Sequence, residues 1–176
     1  MTPDDLKTII RTVPDFPRPG IAFRDITPLM AHARGFAAAV QLLADRAAPC
    51  DLVAGIEARG FIFGSALAHV LGRGFVPLRK PGKLPVPAIG MDYALEYGSD
   101  RLELDPSAVP LDARILLVDD LIATGGTALA AARLLREAGG MVDQALFVID
   151  LPDLGGAARL RREGMGVEAI MAFAGH

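Results

Sequence analysis

The sequence predicts an α/β domain organised on a parallel sheet, and three observations carry that prediction. Short apolar runs recur along the chain without alternation, stretches of helical spacing separate them, and one run ends on two carboxylates followed by a glycine-rich turn. Non-alternating runs suit strands that are buried on both faces, and strand-helix-strand order favours parallel pairing.

Thr2-Pro3-Asp4-Asp5 is a helix start, with a capping hydroxyl, an early proline and carboxylates on the positive end of the dipole. Leu6, Ile9, Ile10 and Val13 extend one apolar face from it. The three prolines of Pro14-Asp15-Phe16-Pro17-Arg18-Pro19-Gly20 forbid helix and predict a fixed loop leading into Ile21–Asp25. Helical spacing returns from Arg34 to Ala47 through Phe36, Val40 and Leu43. Strands are then expected at Leu52–Ile56, Phe75–Leu78, Ile115–Val118, Ala145–Ile149 and Val167–Met171. Helices are expected at Phe61–Leu71, Thr127–Ala138 and Gly155–Arg162. Between Arg79 and Asp100 three prolines and two glycines fall within Lys80–Gly90 without periodicity, which reads as an irregular connection, either an exposed linker or a lid over a site.

At 176 residues the chain is expected to form one domain, 1–176, with no repeat, low-complexity segment or linker to divide it. A hydrophobic share of 52% and a mean hydropathy of +0.37 raise the question of a membrane protein. The longest apolar stretch, Ala169–Ala174, is far below the roughly 20 residues that a spanning helix requires, so no membrane partner is expected. Asp4 and Asp5 stand where a secretory signal would be cationic, and the only cysteine is Cys50, so the chain reads as cytoplasmic. A net charge of −3 with no long basic run excludes an electrostatic footprint for nucleic acid and leaves a small molecule as the expected ligand.

The strongest chemical signal is Ile115-Leu116-Leu117-Val118-Asp119-Asp120-Leu121-Ile122-Ala123-Thr124-Gly125-Gly126-Thr127. Its apolar strand delivers two carboxylates to the edge where open α/β sheets bind ligands. The following loop offers hydroxyls, converging backbone N–H groups and a helix N-terminus, all suited to a phosphate. Gly126 stands where a Walker A loop needs lysine, so this is a different cradle. Acids beside a phosphate site suit sugar hydroxyls, a metal, or both. His32, His69 and His176 are dispersed without metal-ligand spacing.

This segment resembles the phosphoribosyl pyrophosphate (PRPP) signature of the type I phosphoribosyltransferases. Phe16–Thr27, Glu57-Ala58-Arg59-Gly60-Phe61, Arg79–Pro85 and Tyr93–Gly98 follow the order found in the adenine-specific branch of that family and extend the resemblance over nearly the whole chain. It implies a type I phosphoribosyltransferase fold, a central parallel sheet flanked by helices, with a small N-terminal hood at about 14–30 and a flexible lid loop at about 80–100. It implies transfer of the 5-phosphoribosyl group of PRPP to adenine, giving AMP and pyrophosphate, with Mg²⁺ as cofactor and a homodimer as the assembly.

Residue by residue, the resemblance assigns Asp119 and Asp120 to the ribose hydroxyls and, directly or through water, to Mg²⁺. It assigns Ala123, Thr124, Gly125, Gly126 and Thr127 to the 5′-phosphate. Glu57, Ala58, Arg59 and Gly60 form the pyrophosphate loop, with a non-proline cis peptide between Glu57 and Ala58, and Arg79, Lys80 and Lys83 approach the same pyrophosphate. A plain surface ion pair with Glu57 is the competing account of Arg59. Phe23 stacks on the base while main-chain groups around Ala22 and Arg24 read its edge. Glu96 and Arg59 are the catalytic candidates, and Tyr97 is the lid neighbour of Glu96. Two rival readings remain: a phosphoribosyltransferase for hypoxanthine or xanthine, and a non-catalytic nucleotide sensor that keeps the PRPP fold.

Overall fold

The computed structural model describes residues 1–94 and 98–175. Helix α1 (Pro3–Lys7) begins at a capping box: the Thr2 hydroxyl accepts from the Asp5 N–H at 3.2 Å and the Asp5 carboxylate accepts from the Thr2 N–H at 2.7 Å. It stops sooner than the apolar spacing predicts. Arg11–Val13 instead forms β1, antiparallel to β2 (Phe23–Asp25). Thr12 and Val13 are β-branched and Pro14 follows, so extended pairing wins over another helical turn.

A short helix absent from the sequence reading, α2 (Thr27–Ala31), carries Pro28 in its first turn. Helix α3 (Ala33–Ala44) follows at once, its start closed by His32, whose Nδ1 accepts from the Gly35 N–H at 2.9 Å. That histidine therefore serves as a cap. Next come β3 (Leu52–Ile56), α4 (Arg59–Leu71) and β4 (Gly74–Leu78).

The stretch read as irregular is only partly so. Its prolines are confined to the residues before β5 (Ile89–Ala94), which pairs antiparallel with β6 (Ser99–Leu104). In β5 the exposed Asp92 precedes the buried Tyr93, and in β6 Leu102 and Leu104 are fully buried, an alternation hidden by the irregular sequence before it. Strand β7 (Arg114–Ile122), helix α5 (Gly126–Glu137), β8 (Met141–Asp150), α6 (Gly156–Arg162) and β9 (Gly166–Ala172) complete the chain.

Strands β4, β3, β7, β8 and β9 lie in that order in one sheet, every neighbouring pair parallel. Successive residues of its central strands enter opposite cores. Ile115 and Leu117 of β7, with Ala145 and Phe147 of β8, pack under α5, α6 and the β5–β6 hairpin. Leu116 and Val118, with Leu146 and Val148, pack under α1, α3 and α4. This two-sided burial is why the strands read as unbroken apolar runs. Cys50 is buried just before β3, at the edge of the sheet away from the strands' C-terminal ends. No helix of the described residues is long and apolar enough to cross a membrane.

Candidate active site

The chain leaves the C-terminal edge of the sheet at three places that meet in one cleft of about 280 Å³. Glu57, Ala58 and Arg59 come from the end of β3, Lys80 follows β4, and Asp119 to Ala128 run from β7 into α5. Tyr93 and Asp100 of the β5–β6 hairpin close one side. Such an edge is where α/β sheets gather ligand-binding loops.

The acid pair lies at the cleft floor. Asp120 is 3% exposed, and its Oδ2 is 3.1 Å from Arg59 Nε yet lacks the alignment of a hydrogen bond. The Asp119 carboxylate accepts from the Asp120 N–H at 2.8 Å. Burial, reinforced by the charge of Asp120, pushes the Asp119 carboxyl well above the usual carboxylate range. Burial also raises Asp120, against the pull of Arg59. The floor is thus short of positive charge, and a cationic or hydroxyl-bearing ligand would relieve it. Among the described residues, no three His, Cys, Asp or Glu side chains converge as a metal cage.

Gly60 makes this floor possible, because a Cβ there would stand 2.7 Å from Asp119 Oδ1 and 3.0 Å from the Val118 carbonyl. The turn from β7 into α5 depends on a second glycine. Gly125 has φ +78°, in the left-handed region, and a Cβ would meet Gly156 at 3.0 Å. The start of α5 has no side-chain cap and lines the cleft from Gly125 to Ala128 beside Thr124, an arrangement suited to an anion.

The peptide bond joining Glu57 to Ala58 is cis. Glu57 pairs with Arg79 rather than with Arg59: its Oε2 accepts from Arg79 Nε at 3.0 Å and from the Lys80 N–H at 2.8 Å. The Lys80 N–H is the main cause that lowers the Glu57 carboxyl below its ordinary value, with Arg79 adding to it against burial. Lys80 Nζ contacts Asp100 Oδ2 and donates to the Tyr93 hydroxyl at 2.9 Å. Burial works against its charge, but the Asp100 and Tyr93 hydrogen bonds outweigh burial and raise the amine.

The other sequence candidates are placed less centrally. Arg79 sits at the rim against Phe61, and Lys83 is exposed outside the cleft lining. Ala22, Phe23 and Arg24 stand on the β1–β2 hood and do not line the cleft. The Phe23 ring nevertheless faces Arg59 at 5.7 Å and meets Phe16 edge-on at 5.2 Å. Glu96 and Tyr97 lie outside the described residues. Tyr93 and Asp100 were missed as cleft residues by sequence reasoning, and the alternation of Asp92 and Tyr93 was the available signal.

A five-stranded parallel sheet whose C-terminal edge sets an acid pair beside a glycine-built helix start suits a phosphoribosyltransferase, and residues 25–150 match the phosphoribosyl transferase domain family. Adenine phosphoribosyltransferases of Novosphingobium aromaticivorans and Erythrobacter litoralis are 65% and 63% identical to the chain, in both cases over 100% of either sequence. The crystal structure of the adenine phosphoribosyltransferase of Thermoanaerobacter pseudethanolicus superposes with a TM-score of 0.92 at 45% identity, covering 98% of this chain and 100% of that one. The Saccharomyces cerevisiae enzyme, solved with an imino-altritol bisphosphate and adenine, superposes at 0.89 with 35% identity over 96% of this chain and 98% of its own. The chain belongs to the adenine phosphoribosyltransferases, pentosyltransferases of purine salvage.

Proposed function

We propose that the chain joins adenine to the 5-phosphoribosyl group of PRPP, releasing pyrophosphate and forming AMP, with the residues of the cleft in the following roles. Asp119 and Asp120 hold the ribose hydroxyls, and Ala123 to Thr127 hold the 5′-phosphate on the backbone N–H groups opening α5. Arg59, Lys80 and the backbone of Glu57–Gly60 take the pyrophosphate, with Arg79 and Lys83 behind them at the rim. Phe23 covers the base while main-chain groups of Ala22 and Arg24 read its edge. One observation carries this reading: the acid pair, the turn that opens α5, Arg59 and Lys80 all line one cleft, with Arg59 set directly against Asp120.

The step follows from that charge pattern. A base nitrogen bonds to the anomeric carbon as the bond from that carbon to pyrophosphate oxygen breaks, and the bonding electrons leave with pyrophosphate. Positive charge grows on the ribose and negative charge on the leaving group. Carboxylates under the sugar and cations beside the pyrophosphate stabilise these two charges where they develop. Glu96 and its neighbour Tyr97 complete the site in this reading, with Glu96 accepting the proton lost by the base.

Mg²⁺ fits the residues present. Asp120 Oδ2 is a buried carboxylate oxygen without a hydrogen-bond partner, and two adjacent carboxylates suit an ion that keeps waters and takes its other ligands from substrate. Asp119 and Asp120 would hold it, directly or through water, and when bound it would supply positive charge to offset the negative charge of the departing pyrophosphate. A cytoplasmic location and a homodimer complete the reading.

Pyrophosphate release tests it, measured with Mg²⁺-PRPP and adenine, hypoxanthine or xanthine supplied separately. Release is expected with adenine alone and is expected to vanish with chelator and return with added Mg²⁺. Release with an oxopurine alone overturns the substrate, and release with none favours the sensor reading. Light scattering on the eluting protein reads the assembly.

A further inference from the structure

The hood is a two-stranded ribbon of three residues per strand, too small to hold its own shape in water. Its alternation turns successive side chains to opposite sides. Phe23 faces Arg59, itself a cleft residue, while Arg24 faces away, toward Phe173 and Ala174. There the Arg24 guanidinium lies 4.7 Å from the centre of the Phe173 ring and donates from Nη2 to the Ala174 carbonyl at 3.0 Å. Its Nη1 donates to the Thr12 hydroxyl on β1 at 2.6 Å, so one side chain ties both hood strands to the tail. Lys7 of α1 places Nζ 4.8 Å from the same ring. Phe173 is itself fixed, 9% exposed, with its N–H donating to the Asp150 carbonyl at 3.0 Å, and Gly175 N–H donates to Asp153 at 2.7 Å.

We propose that the Phe173–Ala174 tail is a positioning element for base recognition: by clamping the Arg24 side chain it sets the height and angle at which Phe23 covers adenine. Neither tail residue lines the cleft, so the route from the tail to the base runs through Arg24 and the hood. Arg24 then has two separable duties, its side chain anchoring the ribbon and its main chain facing the base. Among the described residues the Arg24 side chain makes its hydrogen bonds to Thr12 and Ala174 and none to the acid pair or to Ala123–Thr127, so the loss of the clamp falls more heavily on the base than on PRPP. This rests on the reading of the hood as the adenine cover.

The experiment is a steady-state comparison of Phe173→Ala, Arg24→Ala, their double variant and Phe23→Ala, with thermal unfolding measured for each. Loss of a cation-ring contact and a charge-assisted hydrogen bond is expected to raise the adenine KM about tenfold in Phe173→Ala and Arg24→Ala. The PRPP KM is expected to stay within about twofold, and the double variant to be no worse than either single one, as for residues acting as one unit. Phe173→Tyr, which keeps the ring face, is expected to restore the adenine KM. If Phe173→Ala does not fold, Phe173→Leu carries the same expectation at about threefold. An unchanged adenine KM in folded Phe173 variants, or equal rises in both KM values, overturns the clamp. An unchanged adenine KM in Phe23→Ala instead overturns the hood reading on which the clamp rests.

Discussion

Arg59 Nε stands 3.1 Å from Asp120 Oδ2, joining the loop after β3 to the end of β7 across the cleft. The carboxylate is buried, whereas the arginine side chain is 43% exposed. The cation is therefore free to turn toward an incoming anion while the acid stays in place. Replacing it with a neutral side chain removes a donor for the leaving group and leaves the buried acid unpaired. Arg59→Gln is expected to lower kcat/KM by about 10²-fold in a pyrophosphate-release assay, with Arg59→Lys falling between it and the parent.

Gly60 is enforced by contact distance alone. A methyl group there meets Asp119 Oδ1, which would have to turn away from the Asp120 N–H, and the Val118 carbonyl, which moves only with β7. Gly60→Ala is expected to lower the unfolding midpoint by about 3–8 °C and to weaken PRPP binding, measured by calorimetric melting with and without PRPP.

Lys80 is held between Tyr93 and Asp100 at the cleft wall. Lys80→Met removes the amine proposed to meet the pyrophosphate and keeps the length of the side chain. The concentration of pyrophosphate giving half-inhibition is expected to rise about tenfold, with the adenine KM within about twofold. A rise in the adenine KM alone would contradict the assigned place.

Asp25 joins the hood to α2, accepting from the Thr27 N–H at 2.9 Å and from Arg11 Nη2 at 2.5 Å. Hydrogen bonds from Thr27 first, then Arg11, hold its carboxyl down at about 2, against an ordinary 3.8. A depressed carboxyl stabilises the fold above its unfolded value, and that contribution is lost as the pH falls through the folded value. Asp25→Asn is therefore expected to melt below the parent by about 2 °C at pH 6, with the gap closing between pH 4 and pH 2.

The parallel sheet was legible because two-sided burial leaves an unambiguous mark, as in Ile115 to Val118, where every residue is apolar and each enters a core. Asp119 and Asp120 were legible for a related reason, since their charges follow that run without transition. The start of the hood was not, because Ile9, Ile10 and Val13 satisfy helical spacing and only pairing with distant Phe23–Asp25 selects the extended form. The β5–β6 hairpin was concealed in the same way, its pairing partner lying beyond Gly98. Asp100 could not be recognised as a cleft residue until that hairpin brought it to Lys80.

Cys50 lies buried at the opposite end of the sheet from the chemistry, and burial pushes its thiol above the ordinary value. Alkylating reagents attack thiolates that solvent reaches, so this sulfur, 6% exposed beside a small surface pocket, reacts more slowly in the folded protein than in the opened chain. The chain thus carries an internal stopwatch for its own opening, one reactive atom whose labelling rate counts breathing of the sheet. Because that atom is remote from the cleft, substrate can alter the count only by changing how often the protein opens, and never by covering the sulfur.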